Sequence, residues 1–132
     1  MVRIDQYLSD LAAYRDDAHL ASWQDCGVDG LAWDALTCLW RESPLLPDEI
    51  ATKLKRHGWG RSEHESRLEA LALKGWVQWT GYMFKISPAG ITIRHQAEDL
   101  TDDYFYRPWK CLSKNGLEEL QILLNRILFA IE

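Results

Sequence analysis

A mostly α-helical fold with one small β-hairpin is predicted by three observations. Apolar residues recur at helical spacing through most of the chain, and residues 76–86 alone carry the aromatic and β-branched pattern of paired strands. The 132 residues are 47% hydrophobic and 27% charged, proportions that fill one core and exclude a disordered chain. The expectation is one domain over 1–132, divided into an N-terminal helix (1–27), a central unit (28–87) and C-terminal helices (88–132).

The elements follow in order. Ile4, Tyr7, Leu8, Leu11, Ala12, Tyr14 and Ala18 trace one helical face, so a first helix runs to about Trp23. Gly27 and Gly30 mark a turn, after which Leu31, Trp33, Leu36, Leu39 and Trp40 resume the period to about Arg41. Pro44 breaks that helix and Pro47 opens a third, with Asp48 and Glu49 placed where the helix dipole favours negative charge. It reaches about His57, with Leu46, Ile50, Ala51 and Leu54 on one face. Gly58-Trp59-Gly60 then turns the chain into a fourth helix, for which Ser62 and Glu65 form a capping box and which Gly75 ends.

Residues 76–80 and 83–86 read as the two strands, joined through Gly81-Tyr82. Ser87-Pro88 is an N-cap followed by proline at the first helical position, and it opens a helix through Ile91, Ala97 and Leu100. Tyr104, Phe105 and Trp109 extend its apolar content to the break at Pro108. After Ser113 the last helix carries Leu117, Leu120, Leu123, Leu124, Ile127, Leu128 and Ile131 on one stripe, with Ile122 and Phe129 off it. That is more apolar surface than one core face needs, which commonly marks association.

Charge and motif content exclude several function classes. The net charge of −5 is uneven: −4 over residues 1–30, +1 over 31–87 and −2 over 88–132. Indiscriminate coating of nucleic acid does not fit an acidic chain, and the middle third is the least acidic part. Cys26, Cys38 and Cys111 form an odd, widely spaced set and read as buried thiols, without a disulfide framework or zinc site. No nucleophile, phosphate-loop or metal-protease motif occurs, so no catalytic residue, cofactor or metal is expected and the chain reads as a non-enzyme. Glu98, Asp99, Asp102 and Asp103 read as a solvated helix face, and His19, His57 and His95 as isolated. His64 falls on the packed side of the fourth helix. Trp33, Trp40, Trp76 and Trp109 fit core positions, which leaves Trp59 and Trp79 as stacking candidates. With neither a membrane span nor an N-terminal signal core, a cytoplasmic protein without a membrane partner is expected.

Helix, helix, glycine turn, helix and hairpin across residues 31–87 is the winged helix-turn-helix plan. Here the chain resembles the MarR-like transcriptional regulators. Residues 48–54 (DEIATKL) are similar to their positioning helix, 67–77 (RLEALALKGWV) to the end of their recognition helix and the first wing strand, and 86–90 (ISPAG) to their post-wing turn. Residues 101–109 (TDDYFYRPW) are similar to a Thr-Asp, Phe, Pro-Trp segment of little-characterised bacterial members, so the likeness covers about residues 28–131.

The resemblance implies a regulator that binds double-stranded DNA as a homodimer through its terminal helices. The fourth helix would enter a major groove, exposing Ser62, Glu63, Ser66, Arg67 and Ala70 with Leu68 and Leu71 inward, and Arg67 as the main base reader. Lys53, Lys55, Arg56, Arg61 and Lys85 would meet phosphates. It also implies a small-molecule effector lodged between dimer helices and winged body, with Tyr104, Phe105 and Trp109 as pocket residues. The fourth helix departs from the pattern in carrying Glu63, Glu65 and Glu69, with Glu63 and Arg67 at pairing distance i, i+4. That acidity supports an alternative, a winged-helix protein-interaction module that does not bind DNA.

Overall fold

The computed structural model describes residues 2–55, 58 and 60–131, with the side chains of 4–55, 58 and 60–130. Among the described residues six α-helices and one hairpin follow each other as α1 (Val2–Trp23), α2 (Gly30–Glu42), α3 (Pro47–Lys53), α4 (Arg61–Leu73), β1 (Val77–Trp79), β2 (Phe84–Ile86), α5 (Pro88–Tyr106) and α6 (Lys114–Ile131). The mostly α winged helix-turn-helix architecture read from the sequence is the one observed.

The core lies where α2, α3, α4 and the hairpin converge. Leu36 and Leu39 of α2, Ile50 of α3, and Leu68 and Leu71 of α4 are fully buried, and Val77, Phe84 and Ile86 close the sheet side. Burying an aliphatic side chain contributes roughly 1.5–3 kcal/mol, so this shared core fixes the relative positions of the helices in the winged body. Leu46 departs from the expected stripe: it stands exposed outside α3, where its backbone N–H donates to the Glu49 carboxylate at 2.7 Å and so caps the helix.

Helix ends account for the other differences. Helix α3 stops at Lys53, earlier than expected, because Leu54 leaves the helical region at φ −94°, ψ 6°. His57 lies outside the described residues. The capping box expected at Ser62 and Glu65 is not formed. Gly60 is the N-cap of α4, the Ser62 hydroxyl donates to Glu63 (3.1 Å), and Glu65 accepts from Arg61 instead. Bonds from its own backbone N–H and from Ser62 hold the Glu63 carboxyl below the usual carboxylate range.

At its far end α4 closes in a Schellman motif. Gly75 takes φ +75°, its N–H reaches Ala72 O at 2.9 Å and the Trp76 N–H reaches Leu71 O at 3.0 Å. The expected Ser87 cap is present, accepting from Gly90 N at 3.0 Å while its hydroxyl donates to Gly75 O at 2.6 Å. Gly90 is required there because a β-carbon would stand 2.2 Å from Trp76 O.

The strands pair antiparallel with Val77 opposite Ile86 and Trp79 opposite Phe84, both shorter than predicted. Leu45, read as part of a break, bridges Phe84 through two backbone bonds of 3.0 and 2.9 Å and ties the α2–α3 connection to the hairpin.

Helices α1 and α5 pack antiparallel, since ascending positions in one meet descending positions in the other: Tyr14 with Tyr104, His19 with Thr101. Helix α6 stands off the body with Ile122, Leu123, Leu124, Leu128 and Phe129 in solvent. Ile4, Tyr7, Leu8, Leu11 and Tyr14 of α1 are likewise exposed. Among the described residues no helix is long and apolar enough to cross a membrane. Cys111 is exposed and Cys26 and Cys38 are half-buried, so the expectation of three buried thiols fails.

Candidate nucleic-acid interface

Helix α4 buries His64, Leu68 and Leu71 against the core. By helical periodicity Ser62, Ser66, Glu69, Ala70 and Leu73 then form its outer stripe, with Arg67 on one flank and Arg61 and Glu65 on the other. The predicted outward set is thus found in part: Ser62, Ser66 and Ala70 face solvent, while Glu63 and Arg67 are half-buried. Glu69 and Leu73, the latter 91% exposed, belong to the outer stripe and were not anticipated.

Two of the candidate phosphate-binding cations, Lys53 and Arg61, are held by carboxylates. Lys53 Nζ lies 2.8 Å from Glu42, linking α3 to α2, and Arg61 meets Asp48 at 3.1 Å and Glu65 at 2.8 Å, linking α4 to α3. The hydrogen bond to Glu42 pushes the Lys53 ammonium above its ordinary range, as that to Glu65 does for Arg61. Lys55 and Lys85 are exposed and form no ion pair among the described residues, and Arg56 and Trp59 lie outside those residues. Trp79 stands half-exposed against Phe84, ring centroids 4.7 Å apart.

Arg67 does not pair with Glu63 as i, i+4 spacing suggested. Its Nε donates to Asp29 Oδ2 at 3.0 Å, while Asp29 Oδ1 accepts from Ala32 N at 2.9 Å as the N-cap of α2. Asp29 thus joins the start of α2 to the middle of α4. An aspartate before a glycine and an apolar run is a cap signal, but its second partner is 38 residues away and leaves no local trace. Exposed pairs of this kind are worth about 0–1 kcal/mol, so phosphate oxygens can displace the carboxylates at small cost.

A second group lies between α1, α2 and α5, around a cleft of about 640 Å³ lined by Arg15, His19, Trp33, Arg41, Arg94 and Glu98 among others. Arg94, 2% exposed, is sandwiched between Trp33 (4.6 Å) and Trp40 (4.7 Å), and its Nη2 donates to Glu98 at 2.6 Å. Burial lowers the Arg94 pKa against the pull of Glu98. His19, expected to be isolated, is bonded to both Thr101 and Trp33, and His95 packs edge-on to Trp40. The acidic run is not simply solvated either: Glu98 and Asp102 face Arg15 at 3.8 and 3.6 Å, and Asp103 holds Arg107 at 2.6 Å.

The aromatic stretch divides. Trp109 lines a hollow of about 700 Å³ with Leu117, Leu120 and Leu124 of α6, whereas Phe105 packs between Tyr14 and Trp109 and the Tyr104 ring lies under Arg107. Trp40, Trp76 and Trp109 are only partly buried, and of the four expected in the core Trp33 alone is fully enclosed.

No curated protein matches the sequence. Among solved structures, a transcriptional regulator from Thermotoga maritima superposes with a TM-score of 0.82 at 16% identity, over 99% of this chain and 96% of that one. MepR, a transcription regulator of the Staphylococcus aureus multidrug efflux pump MepA, gives 0.78 at 13% identity over 98% and 99%. A MarR family protein of Mycobacterium tuberculosis gives 0.64 at 16% over 94% and 92%. These likenesses show a shared fold, and the match of a family model to residues 11–131 places the chain in the helix-turn-helix family, with the winged architecture of MarR-type regulators.

Proposed function

We propose that this protein is a cytoplasmic transcriptional regulator that binds double-stranded DNA as a homodimer. The observation that carries the reading is the outer stripe of α4. Ser62, Ser66 and Ala70 face solvent on a helix whose opposite side is locked into the core, with Lys53, Lys55, Arg61, Arg67 and Lys85 on the same winged body. A helix presented in this way fits a major groove, where short hydroxyl side chains allow close approach and an arginine at the flank reaches guanine. Arg67 is the base reader of the proposal. Arg56 completes the set by sequence position alone.

The dimer rests on the apolar faces of α1 and α6. Single exposed leucines are ordinary, but Leu117, Leu124 and Leu128 stand exposed along one stripe of α6, an apolar run that a second copy would cover.

A small-molecule effector is the third part of the proposal. The cleft between α1, α2 and α5 lies where the terminal helices meet the winged body, and it supports this better than Tyr104 and Phe105, which are engaged in packing. Trp109 retains a place beside the hollow next to α6.

Fluorescence anisotropy of sheared duplex DNA at low and moderate salt, with wild type and Arg67→Ala, tests the central claim. Binding that falls steeply with salt and weakens in the variant supports the regulator. Absence of binding at low salt overturns it in favour of the protein-interaction module.

A further inference from the structure

Three elements meet at His19, and their hydrogen bonds leave the imidazole one arrangement. Thr101, fully buried on α5, has a single hydroxyl hydrogen, and its acceptors are Ala97 O at 2.6 Å and Ser22 Oγ at 3.0 Å. The Trp33 indole N–H can only donate, so Nε2 must accept and Nδ1 carries the ring hydrogen, which it donates to Thr101 Oγ1 at 3.0 Å. The other nitrogen, Nε2, accepts the indole N–H of Trp33 on α2 at 3.4 Å. The His19 backbone is held as well, since the Ser22 hydroxyl donates to His19 O at 2.7 Å. The partners thus assign a neutral imidazole with a bare Nε2.

We propose that His19 is a proton-sensitive latch joining the paired helices α1 and α5 to α2 of the winged body. In the neutral form the ring bridges Thr101 and Trp33. A proton on Nε2 sets two N–H donors against each other and removes the bond to α2. It also adds a cation beside the Trp33 ring, whose face already carries the Arg94 guanidinium.

The charged groups around the ring have both signs. Arg15 and Asp16 come from α1, Asp34 and Arg41 from α2, and Arg94, Glu98 and Asp102 from α5. Glu98 lies 4.0 Å from Nδ1 and favours the imidazolium, while Arg94 and Arg15 oppose it. Burial is the largest influence, and it holds the pKa below the ordinary 6.5. A histidine depressed in the folded state adds stability that is complete above 6.5 and is lost as pH falls through its folded value. The latch is therefore closed at neutral pH and opens in acid.

The test follows the His19 ring and the Trp33 indole N–H by ¹H–¹⁵N NMR in the full chain from pH 8 to 5. His19 is expected as the Nδ1–H tautomer at pH 7.5. Solvent exchange of the Trp33 indole N–H, corrected for the intrinsic pH dependence of exchange, is expected to rise at least tenfold, with the midpoint of the His19 titration. His19→Gln, which cannot titrate, removes that step. Trp33→Phe deletes the opposing N–H and raises the His19 midpoint even if His19→Gln fails to fold. An Nε2–H tautomer at pH 7.5, an indole signal indifferent to the His19 titration, a step that survives in His19→Gln, or an unmoved midpoint in Trp33→Phe would each overturn the latch. None of these readouts involves DNA, so the latch and the DNA-binding reading stand or fall separately.

Discussion

Leu124 and Leu128 of α6 offer a quantitative check on self-association. They are 43% and 57% exposed, so together they leave about one leucine's surface in water. If a second copy covers that surface, replacing both by alanine deletes roughly three carbons' worth of burial per protomer at ~0.8 kcal/mol each. Counted on both protomers and discounted for incomplete cover, the dimer loses about 2–5 kcal/mol. At 1.4 kcal/mol per tenfold change, the dissociation constant rises roughly 30-fold to a few thousand-fold. The protomer itself loses little, within about 0.5 kcal/mol, because neither side chain supports the core. Sedimentation velocity over a concentration series measures the first quantity, and urea unfolding below the dissociation constant the second. A wild-type chain that stays monomeric at high concentration, or a double variant with an unchanged constant, would refute the reasoning. A large loss of protomer stability would show instead that α6 packs on its own body.

Further outcomes follow from single contacts. Asp29→Asn keeps an N-cap side chain while weakening the clamp on Arg67, so stability in urea should change by less than about 0.5 kcal/mol, whereas Asp29→Ala also loses the cap and should cost about 0.5–2 kcal/mol. Glu65→Gln frees Arg61 from one of its two carboxylates, and duplex DNA affinity at low salt should rise several-fold, the gain shrinking as salt is added. Gly90→Ala places a β-carbon 2.2 Å from Trp76 O, and thermal unfolding should show a loss of about 1–3 kcal/mol or more as the turn before α5 is forced apart.

Much of the fold was legible because its signals are local. Pro47 at the start of α3, Ser87-Pro88 at the start of α5 and Gly75 after α4 each act within a few residues through backbone geometry, and all three do in the structure what their spacing predicts. The buried stripe of Leu68 and Leu71 followed from helical periodicity in the same way. Where two local signals competed, the reading failed: Ser62 and Glu65 have capping-box spacing, yet Glu63 folds back over Gly60, where the missing side chain leaves room.

The interface was less legible, because side-chain pairing is decided in space. By itself the sequence determined which helix carries the outer stripe and that Ser62, Ser66 and Ala70 on it are short. Only the tertiary structure decided that Arg67 answers to Asp29 instead of Glu63 and that Lys53 answers to Glu42, because contacts between distant segments depend on how the helices cross. The same holds for Arg94 and His19, unremarkable polar residues along the chain. Packing α2 against α5 closed Trp33 and Trp40 around the guanidinium, and packing α1 against α5 set the imidazole between Thr101 and Trp33. Burial removes the water that would otherwise satisfy such groups, and so turns their few remaining partners into strict requirements.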